Sequence, residues 1–533
     1  MASSSTTMKQ PYANSRSAAM LTFLSVLSPV AGLAMEMTLA WRYGASGMVD
    51  AFRVAALLGS LGLALFFGYL LPHVVVPMFA DCRAKGMEQE AWRLAFTVAV
   101  ALSAISLPLI GWVWFYPEML AGLLGPGLSA TGQADAELLL RCFGLAFLLM
   151  AWTGVASGIL HAYRVFWPAA LAQLLPNICI VLIVLLAGEA AGAGVLAFGL
   201  LLGYAAALVP FVHGLSRIGK ALPIRLAACL RPASAATLRQ ALHLSLPLLA
   251  TILVGQWGIV VVNRALSEMP PGTLADFGYA WKLLMLAGLL PAALATVIFP
   301  AFSDAHANRD TAELSRLAMR ALRMTLLLTL PLAMFLWVER TPLVGLIFGR
   351  GGMSEAALDE TGRLFAILLV GAPAGALGAA LSKVAFSMQD TKSPAVVALL
   401  SAIALSLFVP GAAESAGADG VMWVFSLVSW GGGLGMLGYQ IVRHRLISVS
   451  EVMRYSSLLS VLSVLAVLPV MMLRAGFAML SPGFAWVELT LGGTLFLVTA
   501  YALSRLLKIG EATEIWAYVQ WQVRQWPFGG NRY

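Results

Sequence analysis

Pro77-Met-Phe-Ala-Asp81 and Pro300-Ala-Phe-Ser-Asp304 say nearly the same thing twice. Each closes a long apolar run broken by glycine and proline, and each opens a short polar loop. A second pair follows in the same order, Ser157-Gly-Ile-Leu-His-Ala-Tyr-Arg-Val-Phe-Trp-Pro168 and Ser382-Lys-Val-Ala-Phe-Ser-Met-Gln-Asp-Thr-Lys-Ser-Pro394. From Pro77 to Pro168 is 91 residues, and from Pro300 to Pro394 is 94. Two landmarks in one order at almost one spacing indicate a duplicated half, and duplicated halves in a membrane chain commonly enclose a transport path.

The medium that surrounds these halves follows from composition. Of 533 residues, 60% are hydrophobic and 11% charged, where a soluble chain carries about a quarter charged. Water offers no way to bury that much apolar surface, so lipid must solvate most of it. The fold class is an all-α polytopic membrane protein. Apolar runs of spanning length fall near 18–41, 50–80, 93–115, 135–160, 167–187, 191–213, 240–262, 276–302, 321–338, 357–386, 394–410, 419–442, 456–473 and 486–504, about fourteen in all. Residues 18–215 form the first six-span half and 240–442 the second. A basic linker, 216–239, joins them, and 456–504 adds two spans without a counterpart in the repeat. Six spans per half relate the halves by an axis along the membrane normal.

The formal net charge of +8 does not mark a nucleic-acid binder. With the amino terminus cytoplasmic, most Lys and Arg collect in inside segments, including Arg83, Lys85, Arg217, Lys220, Arg309 and Arg443, while few fall outside. The basic excess is topology, with both termini inside. Residues 1–17 form a polar tail without a signal-peptide pattern, so the first span stays as an anchor. In the tail 505–533, Ile515, Trp516, Val519, Val523 and Trp526 share a helical face; an interfacial helix and a frayed tail both fit. The four cysteines, Cys82, Cys142, Cys179 and Cys229, have neither CxxC nor paired spacing and read as isolated thiols.

Several chemistries are excluded or weak. Gly433-Leu-Gly-Met-Leu-Gly438 fits GxGxxG but sits inside an apolar span without a preceding strand, which makes it a packing motif. There is no GxxxxGK[ST] loop and no HExxH, so neither nucleotide hydrolysis by that route nor a metal centre is expected. His73, beside Pro72 in a broken span, is a candidate proton relay.

The informative charges lie within spans. A charge at mid-membrane costs about 2.5–3.5 kcal/mol on insertion scales and needs a partner or water. Asp50 and Arg53, three apart, can pair along one helical face, whereas Glu36 has no local partner and must look to another helix. Arg42, Arg53, Arg264 and Lys282 belong to spans one, two, seven and eight, respectively, and suit an anionic head group. Glu36 and Asp50 are candidates for coupling or charge pairing. Glycines and prolines accumulate in spans two and eight, where bending and close packing of small residues are both open readings.

These landmarks resemble the MurJ/MviN group of the multidrug/oligosaccharidyl-lipid/polysaccharide exporter superfamily, over about residues 18–510. The resemblance rests on the PxFxD ends of spans two and eight, on Val49-Asp50-Ala51-Phe52 opening span two, and on Gln389-Asp390-Thr-Lys392-Ser-Pro394 after span ten. It implies a fourteen-helix flippase in the bacterial inner membrane, not an enzyme, that moves lipid II, a polyprenyl-diphosphate-linked glycan, by alternating access. It also implies a cationic cavity for the head group and a groove for the lipid tail beside the last two helices. This chain departs from the family pattern in places: Gly32-Leu-Ala is followed by Met35-Glu36, keeping the acid of an Arg-Asp pair, and Lys282 stands for an arginine in Tyr279-Ala-Trp-Lys282-Leu283. The expected partners are the lipid-linked glycan, membrane lipids and glycan-synthesis enzymes, with no nucleic acid. No cofactor is expected beyond a coupling ion, H+ or Na+, or the membrane potential. A flippase for exopolysaccharide or another lipid-linked oligosaccharide, a cation-coupled drug exporter and a polytopic glycosyltransferase remain as alternatives. Pro77, Asp81, Pro300, Asp304, Gln389, Asp390, Lys392 and Pro394 are expected to form cytoplasmic gate or loop structures rather than substrate ligands.

Overall fold

The computed structural model describes residues 15–66, 74–188, 192–221, 234–477 and 485–513. His73, Pro72, Cys229, the middle of the basic linker and the face from Ile515 to Trp526 lie outside the described residues. Among those described, every regular element is helical. In chain order they are α1 (Ser15–Tyr43), α2 (Gly47–Leu63), α3 (Val76–Ala84), α4 (Glu88–Phe115), α5 (Pro117–Leu124), α6 (Ala130–Ala162), α7 (Trp167–Leu186) and α8 (Ala193–Ala221). There follow α9 (Ala235–Ser267), α10 (Thr273–Ala287), α11 (Leu289–Ala307), α12 (Thr311–Val338), α13 (Arg340–Phe348), α14 (Glu355–Ser387), α15 (Lys392–Tyr439), α16 (Val449–Phe477) and α17 (Ala485–Leu506).

Among the described residues ten helices are long and apolar enough to cross a membrane, which is roughly consistent with the fourteen expected spans once two details are read. α15 runs through what the sequence divides in two, but Ala416 (φ −139°, ψ 15°) and Gly417 (φ 58°, ψ −144°) break it, so it supplies spans eleven and twelve. Span eight is interrupted at Gly288 between α10 and α11. The short α5 and α13 lie between spans.

The duplication is visible helix by helix. α4 and α12 are both 28 residues long, and α6 and α14 are both 33. The short α5 sits between α4 and α6, and the short α13 between α12 and α14. Ser129 caps α6 by accepting from the Gly132 amide at 3.2 Å, and Ser354 caps α14 by accepting from the Ala357 amide at 3.2 Å.

The repeated sequence landmarks are four copies of one helix-ending device. After α3, α6, α11 and α14 one residue takes a left-handed conformation: Gly86 (φ 74°), Arg164 (φ 61°), Arg309 (φ 55°) and Gln389 (φ 61°). The next amide then turns back onto the carbonyl five residues earlier, in Met87 to Cys82 (2.9 Å), Val165 to Leu160 (2.8 Å), Asp310 to Ala305 (3.0 Å) and Asp390 to Ala385 (3.0 Å). This is the Schellman ending, which satisfies carbonyls that a helix terminus would otherwise orphan. Asp390 then starts α15, accepting from the Lys392 and Ser393 amides at 3.0 and 3.1 Å and from the Ser393 hydroxyl at 2.7 Å. Asp81 and Asp304 lie in the last turns of their helices. Asp81 faces an unfavourable dipole end there, offset by Lys85 Nζ at 2.7 Å. These residues build loops.

A non-glycine residue in the left-handed region costs about 1–2 kcal/mol, and glycine returns part of that gain as chain entropy. Gln389→Gly is therefore expected to stabilise the protein by about 0.5–1 kcal/mol and to leave transport intact. Denaturant melting with a transport assay checks both; lost transport with raised stability would make Gln389 part of the gate.

The chain packs as two units. The described residues of 1–39, 51–124 and 129–253 form the first, and those of 40–50, 125–128 and 254–533 the second. The division falls inside α9. In the first unit α8 packs on α6 and α7, and α4 on α6; in the second, α14 on α12 and α15, and α16 on α12 and α17. Lipid supplies little hydrophobic drive between helices, so close packing through small residues does this work. A Cβ at Gly59 would lie 2.5 Å from Phe143 Cε1, which seats α2 on α6. One at Gly433 would lie 2.5 Å from the Ala374 carbonyl oxygen, so the GxGxxG match is where α15 meets α14. In span two, packing accounts for Gly59. In span eight, the helix does break.

Candidate functional site

The first unit holds a buried ion pair. Val49–Leu58 supplies α2 with a run of buried apolar side chains that carries Arg53 inward. Arg53 Nη1 donates to Glu36 Oε1 at 2.9 Å, and Nη2 donates to Glu36 Oε2. The two side chains are 13% and 5% exposed. Glu36 thus finds the partner on another helix that its sequence demanded. The guanidinium forks onto the carboxylate with two parallel bonds, the geometry in which arginine also grips phosphate.

Asp50 belongs to the second unit and does something the sequence did not indicate. Beyond the local pairing suggested by their spacing, each makes a long-range contact: Arg53 is forked onto Glu36, and Asp50 caps a helix 222 residues away. Its Oδ2 accepts from the Gly272 amide at 2.6 Å and its Oδ1 from the Ala275 amide at 2.7 Å, both buried. These amides begin α10, where a carboxylate meets the positive end of the helix dipole.

Other bonds fasten the same connection. Tyr279 Oη donates to the Gly44 carbonyl at 2.8 Å, and the Gly352 amide to the Trp41 carbonyl at 2.7 Å. Gly272 (φ 99°) and Gly351 (φ 69°) sit where the backbone is left-handed and crowded: a Cβ would come within 2.5 Å of the Ala45 carbonyl oxygen and 2.1 Å of the Trp41 carbonyl oxygen, respectively. Only glycine fits. Beneath them Thr361 Oγ1 donates to Asp276 Oδ1 at 2.9 Å. The α1–α2 connection, residues 40–50, is therefore tied to the second unit by backbone and carboxylate bonds, while α1 up to Leu39 and α2 from Ala51 belong to the first.

The remaining candidates are placed as follows. Arg42 closes α1 and Arg264 stands in the last turn of α9, exposed. Lys282 is half-buried on α10. All three belong to the second unit and Arg53 to the first. Sequence reasoning missed Asp276 and quoted Tyr279 only as part of a family pattern, without a role for its hydroxyl. It also missed Glu339, the residue that follows the expected span 321–338.

The comparisons with known proteins bear on what this arrangement serves. Residues 39–490 match the family model for lipid II flippase MurJ. The chain belongs to that family. Among curated relatives, lipid II flippase MurJ of Burkholderia cenocepacia is 26% identical over 388 residues, covering 70% of this chain and 73% of its own. The probable lipid II flippase MurJ of Rhizobium meliloti is 27% identical over 435 residues, covering 75% and 78%. A solved lipid II flippase MurJ in an inward closed conformation superposes with a TM-score of 0.76 at 19% identity, over 92% of this chain and 99% of that one. An inward-facing multidrug transporter of the MATE family, in the MOP superfamily, gives 0.63 at 15% identity over 82% and 99%. The fold is that of this superfamily, and the family members are transporters rather than enzymes.

Proposed function

We propose that this chain is a flippase for lipid II, carrying the polyprenyl-diphosphate-linked saccharide from the inner to the outer leaflet of the bacterial cytoplasmic membrane, with both termini inside. The match to the family over residues 39–490 carries this reading. The chemistry fits it. A diphosphate presents oxygens to a guanidinium as Glu36 does, so substrate and Glu36 compete for Arg53, and the pair keeps the cation neutralised between cycles. Arg264, Lys282 and Arg42 supply further positive charge to the head group.

Drive need not come from a nucleotide. An anion leaving a negative interior gains about 2.3 kcal/mol per charge per 100 mV, and a diphosphate carries two charges. Release of the Asp50 cap is the step that frees the outer ends of α1 and α2.

Depletion of the protein in cells, with labelled lipid-linked intermediates followed leaflet by leaflet, tests the function. Lipid II accumulating on the inner leaflet is expected. Undisturbed lipid II with lost exopolysaccharide would replace this reading by the flippase for another lipid-linked oligosaccharide. In the same assay the combined Arg53→Gln, Arg264→Gln and Lys282→Gln variant is expected to lose transport by at least tenfold, about 1.4 kcal/mol in the barrier. Full transport would remove these residues from the substrate path.

A further inference from the structure

Glu339 stands between α12 and α13 with its side chain turned inward. It is 1% exposed, and among the described residues neither Oε1 nor Oε2 has a hydrogen-bond partner. An ionised carboxylate in that position would have lost its water without replacement, a cost that a buried acid avoids by keeping its proton.

The surroundings are specific. α17 approaches so closely that a Cβ at Gly492 would lie 3.5 Å from Glu339 Oε1. Glu488, one turn earlier on α17, adds a second carboxylate, and Arg474 from α16 brings a cation to the cluster. Arg474 Nη1 donates to the Val338 carbonyl, and its Nε lies 4.0 Å from Glu488 Oε1. Arg340, the next residue on α13, turns to Trp337 instead: Nη1 donates to the Trp337 carbonyl at 2.7 Å, and the guanidinium lies 4.9 Å from the ring centroid. From α14, Asp359 and Arg363 line a cavity with Arg340 and Trp337. Below the cluster, Val338, Ala466, Val467, Val470 and Phe496 form a buried apolar seam, with Phe335 stacked on Phe496 at 4.8 Å.

We propose that Glu339 is a proton-binding site, tuned by Glu488 and Arg474, whose occupancy seats the added pair α16–α17 on α12–α13. The charges of Glu339, Glu488 and Arg474 sum to zero when one proton is present. A proton needs no coordination shell. A metal cation would need several oxygens, and among the described residues no three potential acidic, His or Cys ligands gather; the Val338 carbonyl is already taken by Arg474, whose charge would repel it. The titration has the matching direction. Burial first and the Glu488 charge second push the Glu339 carboxyl up to about 7, with Arg474 pulling the other way. A group held above its ordinary 4.5 stabilises the seated form fully below that value, and loses this contribution as pH rises through about 7. This site is separate from the head-group residues, and it would stand if the cargo were another lipid.

Infrared difference spectroscopy of the full chain in nanodiscs reads the proton directly. A carboxylic-acid band that disappears with a midpoint near 7 is expected in the unmodified protein, and its absence in Glu339→Gln. Glu488→Gln is expected to lower the midpoint by about one unit and Arg474→Gln to raise it by a similar amount. Hydrogen exchange of α17 amides around Gly492 is expected to quicken above the midpoint in the unmodified protein and to stay slow in Glu339→Gln, the isostere of the protonated acid. A band that survives Glu339→Gln, titrates in the ordinary carboxylate range, or ignores Glu488→Gln would overturn the proposal. So would a midpoint that moves when sodium chloride replaces choline chloride, since that marks a sodium site. Because Glu488→Gln is read independently, poor folding of Glu339→Gln would not shield the idea.

Discussion

Asp50→Ala is expected to abolish transport and to lower the denaturation midpoint. The carboxylate makes two charge-assisted bonds to buried amides, at 2.6 and 2.7 Å, each worth about 1.5–3 kcal/mol. Truncation leaves both amides without an acceptor at the start of α10, so the cost lies in the orphaned donors as much as in the lost attraction. Asp50→Asn keeps one acceptor oxygen and loses the charge that faces the helix dipole, so it should retain partial stability and slower transport. Disulfide trapping between cysteines placed at Trp41 and Gly352, whose backbones are bonded at 2.7 Å, reports whether the 40–50 connection stays docked. It should trap readily in the unmodified protein and poorly in Asp50→Ala. An Asp50→Ala protein that transports at the ordinary rate would reduce the cap to a structural convenience.

The contrast between Asp50 and the repeated loop motifs shows what a sequence of this kind discloses. The two PxFxD ends and their downstream partners were legible because they are local. Each is a helix ending that the chain completes within about six residues, at Gly86, Arg164, Arg309 and Gln389, so the same physics leaves the same letters in both halves. The spans were legible because lipid imposes a length on every apolar run. Glu36 was half legible: a lone acid in a span must find a cation, and the sequence demanded another helix without saying which. Asp50 was only partly legible, because its spacing to Arg53 offered a local pair and nothing in the sequence pointed to the backbone amides 222 and 225 residues away. Backbone donors have no letter of their own. Glu339 was illegible for a further reason. Beside Arg340, at the end of an apolar run, it reads as an ordinary solvated loop charge, and only the close approach of α17 at Gly492 encloses it.

Arg53→Ala carries the other large effect, and it separates folding from transport. Removing the guanidinium leaves Glu36, 4% exposed, as a buried charge without its forked partner, a change that typically costs about 3–5 kcal/mol. Loss of transport in Arg53→Ala alone would therefore be ambiguous. The double variant Glu36→Gln with Arg53→Gln resolves it, because two amides of similar shape can bond to each other while neither is charged. Its stability is expected to return to within about 1 kcal/mol of the unmodified protein, with a coupling between the two sites of about 2–3 kcal/mol in a double-mutant cycle. Transport should not return, since an amide cannot replace a guanidinium as a bidentate anion ligand. Arg53→Lys makes the complementary point: it keeps the charge next to Glu36 but loses the fork, so stability should fall less than in Arg53→Ala while transport falls strongly. Should the double variant transport as well as the unmodified chain, the Glu36–Arg53 pair would be a clasp between α1 and α2 and no part of the head-group path. The diphosphate would then have to be met by Arg42, Arg264 and Lys282 alone.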